Sequence, residues 1–255
     1  MPVFDDSAFD NHEQVVFCDD ARSGLRAIVA IHNTSRGPAL GGARMWPYAD
    51  SAAALADVLR LSRGMTYKSA LAGLPFGGGK AVILGDPNRD KSPTLFHALG
   101  RYVESLGGRY TIAEDVGINV ADIEQVARET RHVAGVAAGG SGDPSPATAY
   151  GVFVGIRAAI QHRLGTDRID GDKLTGVSVA VQGAGHVGYE LARHLAGAGA
   201  DVRIADVDPS RVKRAQDELG ATPVSVDRFL ETDADVLAPC ALGGLLNDET
   251  IPRIR

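Results

Sequence analysis

The sequence predicts an α/β fold in two domains, and three observations lead to that prediction. Strand-like apolar runs alternate with helix-like patterns along most of the 255 residues, as in proteins built from successive βα units. A stretch at 135–146 that is rich in Gly, Ala, Ser and Pro interrupts the alternation and marks a domain boundary. Beyond it, a strand-like run is followed by a glycine fingerprint. We therefore expect one domain at 1–143 and another at 144–255.

The first domain is expected to have a mostly parallel sheet with helices between its strands. Short apolar runs predict strands at 25–31, 81–84 and 110–113, and helical spacing predicts a helix at 51–61. Ser92 followed by Pro93 is a typical helix start, and apolar residues continue at helical spacing to Leu106. Asn119 is expected to cap a further short helix.

The second domain shows the most regular alternation of the chain. A long helix covers Tyr150 to Ile160, and the elements that follow it are a strand at 177–182, a helix at 187–197, a strand at 201–205, a helix at 209–219, a short strand and helix, and a strand at 235–238. Repeated βα units predict a parallel sheet with right-handed crossovers, which is the Rossmann type of fold.

Composition narrows the class of protein. A net charge of −6 argues against a nucleic-acid or anionic-membrane surface, since both require clustered positive charge. No apolar run is long enough to cross a bilayer, and the N-terminus lacks the pattern of a signal peptide. The two cysteines lie far apart, and neither histidines nor cysteines have the spacing of zinc ligands. A cytoplasmic protein without a metal is therefore expected.

The fingerprint predicts a dinucleotide site at the start of the second domain. Its residues are Gly183, Ala184, Gly185, His186, Val187 and Gly188, between an apolar run and a helical pattern. The glycines allow a tight turn and close approach of the pyrophosphate to the backbone. Asp206 lies 18 residues further on, near the distance expected for the acid that binds a ribose hydroxyl. This favours NAD over NADP, although Arg211 is close enough to weaken the preference, and Asp208 suits the role of helix cap better than Asp206.

Two lysines, Lys68 and Lys80, flank the segment Gly77–Gly79. Three glycines indicate a turn that a small ligand can approach closely, and two ammonium groups in one pocket lower the pKa of at least one. Such a lysine can act as an acid or base near neutral pH. A phosphate-binding loop is excluded, because Leu74 and Ala81 occupy positions that need Gly and Ser or Thr. The alternative is a glycine-rich turn with a solvated lysine.

Asp115 is the acid–base candidate among the carboxylates, with its neighbour Glu114 as the rival. It follows a predicted strand, where active-site residues of α/β folds collect.

Seven short segments, spread in order over nearly the whole chain, form a specific pattern. They are Gly37-Pro-Ala-Leu-Gly-Gly-Ala-Arg44, Met65-Thr-Tyr-Lys68, Gly77-Gly-Gly-Lys80, Ala113-Glu-Asp-Val-Gly117, Ser145-Pro-Ala-Thr-Ala-Tyr-Gly151, Gly183 to Gly188, and Ala238-Pro-Cys-Ala-Leu-Gly243. With them the chain resembles the Glu/Leu/Phe/Val group of amino-acid dehydrogenases, and within that group most the leucine and valine dehydrogenases.

The resemblance implies a role for each matching residue. Lys68 would hold the substrate α-carboxylate, Lys80 would activate water or polarise the carbonyl, and Asp115 would shuttle a proton to the amino nitrogen. The substrate cleft would be lined by Leu40, Gly41, Gly42, Met65 and Ala113. Cofactor contacts would come from Thr148, Cys240 and Ala241 in addition to the fingerprint and Asp206.

The function implied is NAD-dependent, reversible oxidative deamination of leucine, valine and isoleucine by a homo-oligomer assembled through the first domain. Open alternatives are a phenylalanine or broad-specificity dehydrogenase, and a catalytically silent NAD-binding or subunit-interaction paralogue or fragment. The family typically continues past the equivalent of Arg255, so the nucleotide domain is expected to be incomplete. A 2-hydroxy-acid dehydrogenase would need a His–carboxylate pair and an Arg, which this pattern does not resemble.

Overall fold

The structure is a computed structural model that describes residues 3–137, 142–165, 171 and 173–254. The chain divides into two compact units, Met1–Asp143 and Pro144–Arg255, each with its own sheet and hydrophobic core. The α/β fold predicted from the sequence is confirmed. Among the described residues, no helix is long and apolar enough to cross a membrane.

The first unit is built on a mixed sheet. Its strands are β1 (Gln14–Asp20), β2 (Leu25–Asn33), β3 (Ala39–Trp46), β4 (Gly77–Leu84) and β5 (Tyr110–Glu114), and its helices are α1 (Ser51–Leu71), α2 (Pro93–Ser105) and α3 (Val120–Val126). The strands lie in the order β1-β2-β4-β3-β5. Only β2 runs against the direction of the others, so the sheet is mostly parallel, as expected.

Helices cover this sheet on both faces. Ile28 of β2 and Val82 of β4 pack on the apolar side of α1, whereas Ala81 and Ile83 belong to the core with α2 and α3. Neighbouring residues of β4 enter different cores because successive side chains of a strand point to opposite faces. This alternation determines which side chains share a face with the candidate site.

Side-chain caps begin the helices where the sequence predicts. Ser92 accepts a hydrogen bond from the Leu95 backbone N–H at the start of α2. Asn119 and Asp122 form a reciprocal capping box at the start of α3, which satisfies two N–H groups that the helix leaves free. The prediction for α1 was too short, because the helix continues ten residues past position 61 to Leu71. The added turns carry Met65 and Lys68.

The second unit has a parallel sheet in the order β8-β7-β6-β9. Its strands are β6 (Ser178–Gln182), β7 (Asp201–Ala205), β8 (Thr222–Pro223) and β9 (Val236–Pro239), and its helices are α4 (Ser145–Leu164), α5 (His186–Gly197) and α6 (Pro209–Leu219). Apolar residues of α4 and α5 bury one face of β6 and β7. The predicted βα alternation and the parallel sheet are confirmed here.

Two strands of the first unit were missed. The middle of β3 reads Ala39-Leu-Gly-Gly-Ala43, and glycine and alanine are depleted in strands. The edge strand β1 ends in Asp19 and Asp20. Pairing with β2 and with the two neighbours of β3 outweighs these weak local preferences.

Candidate active site

Gly77–Gly79 begin the central strand β4, and do not form the turn that the sequence suggested. The strand pairs with β2 on one side and β3 on the other. Each glycine makes room for a neighbour, since an added Cβ would lie 2.0 Å from the Asn33 carbonyl oxygen, 2.1 Å from the Thr66 nitrogen and 2.7 Å from the Tyr110 ring, respectively. The glycines therefore permit close packing, and they place Lys80 inside the sheet.

Strand alternation puts three of the predicted substrate residues, Leu40, Gly42 and Ala113, on one face of the sheet, and puts Gly41 on the other. Ala39 and Ala43 of β3 and Ile112 of β5 belong to the core on the α2 side. Leu40, Gly42 and Ala113 therefore lie on the opposite face, which they share with Lys80. Gly42 pairs directly with Ala113, and Leu40 pairs with Gly78.

The glycine pair of β3 is required by its neighbours. A Cβ on Gly41 would lie 1.7 Å from the Gly79 carbonyl oxygen, and one on Gly42 would lie 2.8 Å from the Asp115 Cβ. The Gly41 carbonyl also accepts a hydrogen bond from the buried Tyr110 hydroxyl at 2.6 Å. Gly42 thus lets Asp115 lie directly against β3.

Lys80 and Asp115 form an ion pair, with the Lys80 Nζ 3.0 Å from the Asp115 Oδ2. Lys80 is only 5% exposed. Burial lowers the pKa of the Lys80 ammonium, and the attraction of Asp115 offsets only part of that effect. Burial by itself raises the pKa of Asp115, but the charges of Lys80 and Arg44 outweigh it and hold that pKa below its ordinary value.

Arg44 is a third charged residue of this site, and sequence reasoning gave it no role. Its Nε donates to the Asp115 Oδ2 at 3.1 Å, and its Nη1 donates to the Asp57 Oδ2 at 3.1 Å. The available signal was its position at the end of the segment Gly37–Arg44, two residues after Gly42. In a strand, that spacing puts both residues on one face.

Lys68 and Met65 lie near the C-terminal end of α1, and the Lys68 side chain is exposed. Its charge lowers the pKa of Lys80, as expected for two nearby cations, but the main cause is burial, and the Arg44 charge contributes more than Lys68. The sequence-based explanation therefore identified the direction of the shift and missed its principal cause.

Each fingerprint glycine has a different environment. Gly183 has a φ of +92°, which favours glycine. A Cβ on Gly188 would lie 1.8 Å from the Gly183 carbonyl oxygen, whereas one on Gly185 would meet only the tip of Arg211 at 3.7 Å. Gly185 caps the N-terminus of α5, where free N–H groups favour an anion. The open side of Gly185 fits the approach of a pyrophosphate.

Asp206 organises the loop after β7. Its Oδ2 accepts from the Ala184 backbone N–H at 2.6 Å and its Oδ1 from the Asp208 N–H at 2.8 Å. Asp208 caps α6 by accepting from the Ser210 N–H, as the sequence suggested. Arg211 lies near Asp208, with 3.4 Å between its Nε and the Asp208 Oδ2.

The remaining predicted cofactor residues lie at ends of elements. Thr148 is exposed in the first turn of α4, and Cys240 and Ala241 follow β9. A Cβ on Gly183 would meet the Cys240–Ala241 backbone at 3.0 Å, so this segment packs against the fingerprint turn. Burial raises the pKa of the Cys240 thiol to about 11. No group of three potential metal ligands occurs within the described ranges.

Comparison with known proteins identifies the family. Residues 12–132 match the model for the Glu/Leu/Phe/Val dehydrogenase dimerisation domain. Leucine dehydrogenase of Thermoactinomyces intermedius is 50% identical over 100% of this chain and 69% of the relative. The chain belongs to the Glu/Leu/Phe/Val dehydrogenase family. The predicted resemblance is confirmed.

Other members of the family have similar identity to this chain. Leucine dehydrogenase of Geobacillus stearothermophilus is 51% identical over 96% of the chain and 66% of the relative. Phenylalanine dehydrogenase of Lysinibacillus sphaericus is 48% identical over 96% of the chain and 65% of the relative. The chain thus spans about two thirds of the length of the relatives it matches.

Solved structures of the family share the fold. The crystal structure of L-tryptophan dehydrogenase from Nostoc punctiforme has a TM-score of 0.67 and 45% identity, covering 96% of this chain and 68% of that chain. The hetero-hexameric glutamate dehydrogenase from Thermus thermophilus has a TM-score of 0.74 at 24% identity, covering 96% of this chain and 65% of that chain. At that identity the likeness concerns the fold alone.

Residues 154–250 match the NAD-binding domain of D-isomer specific 2-hydroxyacid dehydrogenases. The match confirms the predicted NAD-binding domain of this family member. It covers the nucleotide-binding unit, and the first unit matches the amino-acid dehydrogenases.

Proposed function

We propose that the protein is an NAD-dependent dehydrogenase that reversibly deaminates leucine, valine and isoleucine to 2-oxo acids and ammonia. The observation that carries this proposal is the ion pair of the buried Lys80 with the partly exposed Asp115, with 3.0 Å between Nζ and Oδ2. The pair lies on the sheet face that also carries Leu40, Gly42 and Ala113, where Arg44 contacts Asp115 as well. A lysine whose pKa is lowered by burial can exchange protons near neutral pH.

Three charged residues divide the work on the substrate. Lys68 pairs with the α-carboxylate, and its exposed ammonium on α1 is available for that contact. Lys80 takes a proton from the water that adds to the substrate imine. Asp115, which is ionised at rest, passes this proton from Lys80 to the amino nitrogen of the resulting carbinolamine. Lys80, neutral again, takes the hydroxyl proton as ammonia leaves, and the 2-oxo acid remains.

The second unit supplies the cofactor site of this proposal. The open surface at Gly185 and the free N–H groups of α5 suit a pyrophosphate. Asp206 suits the ribose hydroxyl, and its charge disfavours a 2′-phosphate. Thr148, Cys240 and Ala241 complete the proposed set of contacts. NAD, when bound, accepts the hydride that leaves Cα.

Substrate preference follows from the apolar side chain of Leu40. A glutamate side chain placed there would bury an unpaired carboxylate, which costs several kcal/mol in order of magnitude. One methylene changes discrimination by only about 1–3 kcal/mol, so activity on several aliphatic amino acids is expected. The small residues Gly42 and Ala113 favour phenylalanine as the second candidate substrate, and a phenylalanine dehydrogenase is among the relatives.

The partners of this proposal are an amino acid or 2-oxo acid, ammonia and a second copy of the chain. The match to a dimerisation domain at 12–132 supports a homo-oligomer built through the first unit. Cys18 and Cys240 are both free, which suits a reducing, cytoplasmic compartment. The proposed substrates give the protein a role in branched-chain amino-acid catabolism.

The direct test is NADH formation with leucine, valine, isoleucine, phenylalanine and glutamate as separate substrates, accompanied by calorimetric titration with NAD. The branched-chain substrates are expected to give the highest kcat/KM, and glutamate to give the lowest. Highest activity with phenylalanine would favour the second candidate. NAD binding without turnover of any of the five would favour a catalytically silent NAD-binding protein.

A further inference from the structure

A guanidinium group that the proposed mechanism does not use lies between two carboxylates. Arg44 contacts Asp115 through Nε and Asp57 through Nη1, each at 3.1 Å, and its side chain is 12% exposed. We propose that Arg44, anchored by Asp57, is a positioning residue that orients the Asp115 carboxylate for proton transfer with Lys80 and substrate. This inference rests on the proposed function.

Asp57, which anchors Arg44, accepts hydrogen bonds from two further side chains. Asp57 Oδ2 accepts from the Tyr48 hydroxyl at 2.7 Å, and its Oδ1 accepts from Arg60 Nη2 at 2.6 Å. Asp57 lies on α1 and Arg44 on β3, while Asp115 follows β5. The Arg44 bridge therefore ties the catalytic carboxylate to a helix on which the substrate-binding Lys68 also lies.

The two contacts of Arg44 need the shape of a guanidinium. Its donors are fixed in one plane and reach two carboxylates at the same time. A lysine has a single nitrogen at the end of a flexible chain, so it keeps the charge without fixing both partners. The effect of the Arg44 charge can therefore be distinguished from its effect on the orientation of Asp115 by substituting Arg44 with lysine.

Both cations approach the same oxygen of Asp115. Lys80 Nζ lies 3.0 Å and Arg44 Nε 3.1 Å from Oδ2, so proton exchange with the substrate falls to Oδ1. After burial, which lowers it most, the pKa of Lys80 is lowered further by the charge of Arg44. Arg44 itself stays protonated, because its two carboxylate partners outweigh the effect of burial on its pKa.

Removing Arg44 is expected to raise the pKa of Lys80. The other groups whose charges act on the Lys80–Asp115–Arg44 cluster are Tyr48, Asp57, Lys68 and Tyr110. Without the guanidinium, Lys80 loses a repelling neighbour and keeps its attracting one. Its ammonium then persists to higher pH.

The first test is the pH profile of kcat/KM with the best amino-acid substrate for Arg44→Met, Arg44→Lys and Asp57→Asn. Turnover needs neutral Lys80, so activity rises with pH through the Lys80 pKa. Arg44→Met is expected to move that rise upward by about 1–2 pH units. Arg44→Lys keeps the charge, so a smaller shift with a lowered kcat is expected. Asp57→Asn, which preserves the side-chain shape, is expected to lower kcat with wild-type KM.

The matched control is Arg89→Met, which removes an exposed arginine paired with Asp90 in the same unit. It is expected to leave the profile unchanged. A uniform loss of activity at every pH in Arg44→Met and Asp57→Asn, together with a lower melting temperature and an unmoved profile, would mean a structural role only and would overturn the proposal.

A second measurement does not depend on turnover. The chain has only five lysines, so 13C labelling at the lysine Cε gives few NMR signals, and Lys80→Arg assigns the one of interest. The titration midpoint of Lys80 is expected to rise in Arg44→Met and to stay in place in Arg89→Met. An unmoved midpoint overturns the Arg44 proposal. A raised Lys80 midpoint in a protein that oxidises no amino acid supports the proposed role of Arg44 and contradicts the proposed function.

Discussion

Lys80 combines two environments that act in opposite directions on its proton. Burial at 5% exposure favours the neutral amine, and the Asp115 carboxylate 3.0 Å away favours the ammonium. A surface lysine lacks the first influence, and a buried lysine without a partner lacks the second. The combination suits a group that must both take up and release protons within one reaction.

Lys68 differs from Lys80 because its side chain is exposed and it is proposed to bind a charge. Lys68→Ala removes a charge-assisted contact of about 1.5–3 kcal/mol. The KM for leucine is expected to rise by about 10- to 100-fold, with a smaller change in kcat. Steady-state kinetics measures both. Lys213→Ala, at an exposed lysine of α6, is the control, and an unchanged KM in Lys68→Ala would contradict the assignment.

At the scale of elements, the close packing of α1 on β4 depends on glycine. Gly78→Ala would place a methyl group 2.1 Å from the Thr66 nitrogen, and a loss of more than about 2 kcal/mol in the free energy of unfolding is expected. Gly64 lies within α1 with nothing within 4 Å of an added Cβ. Gly64→Ala is expected to stabilise by up to about 1 kcal/mol. Urea unfolding of both variants measures the two changes in the free energy of unfolding. Equal changes would contradict the close packing of α1 on β4.

Two glycines of the turn before α5 are expected to have different roles, Gly188 in folding and Gly185 in NAD binding. Gly188→Ala is expected to destabilise the second unit, because the new Cβ would lie 1.8 Å from the Gly183 carbonyl oxygen. Gly185→Ala has open space, so the melting temperature should stay near that of the wild type while NAD affinity falls by about tenfold or more. Calorimetry and thermal melting test the pair. Wild-type NAD affinity in Gly185→Ala would exclude Gly185 from the pyrophosphate contact.

Elements with strong local signals were predictable, and those defined by tertiary packing were not. Ser92-Pro93 and Asn119 identify helix starts through capping chemistry that is local in sequence. The glycines of β3 and β4 resemble turns, because their purpose is set by Thr66 and Tyr110, which are distant in sequence. Arg44 was missed for the same reason, since its contacts with Asp57 and Asp115 span 13 and 71 residues.

The whole molecule joins two units with separate cores, one carrying the lysine–aspartate pair and the other the glycine fingerprint. The family resemblance was readable from the sequence because its seven segments are specific and follow in order over nearly the whole chain. The identity of the preferred amino acid was less accessible, since in the proposed site it depends on the volume around Leu40 and Ala113, and no local motif encodes that volume.

Stability of the molecule is expected to depend on pH through His12 and His32, each 8% exposed. Burial lowers the pKa of both rings from 6.5. The unfolded chain therefore takes up protons at higher pH than the folded chain, and the free energy of unfolding falls as pH drops below about 6.5. Each ring contributes at most about 1.4 kcal/mol per pH unit.

Calorimetric melting between pH 7.5 and 5.5 measures this dependence. His12→Gln is expected to flatten it, because only one of the two buried rings remains. The control is His162→Gln, at an exposed histidine of α4, for which the wild-type dependence is expected. Equal pH dependence in wild type and His12→Gln would mean that His12 does not contribute.

The central claim is that the Lys80 amine handles the protons of amino-acid oxidation, and turnover of leucine by Lys80→Ala tests it most directly. With NAD binding and melting temperature retained, kcat is expected to fall by about 10²- to 10⁴-fold. Added ethylamine, which can occupy the vacated space, is expected to restore part of the loss. A folded Lys80→Ala protein that binds NAD and turns over leucine at the wild-type rate would contradict the account.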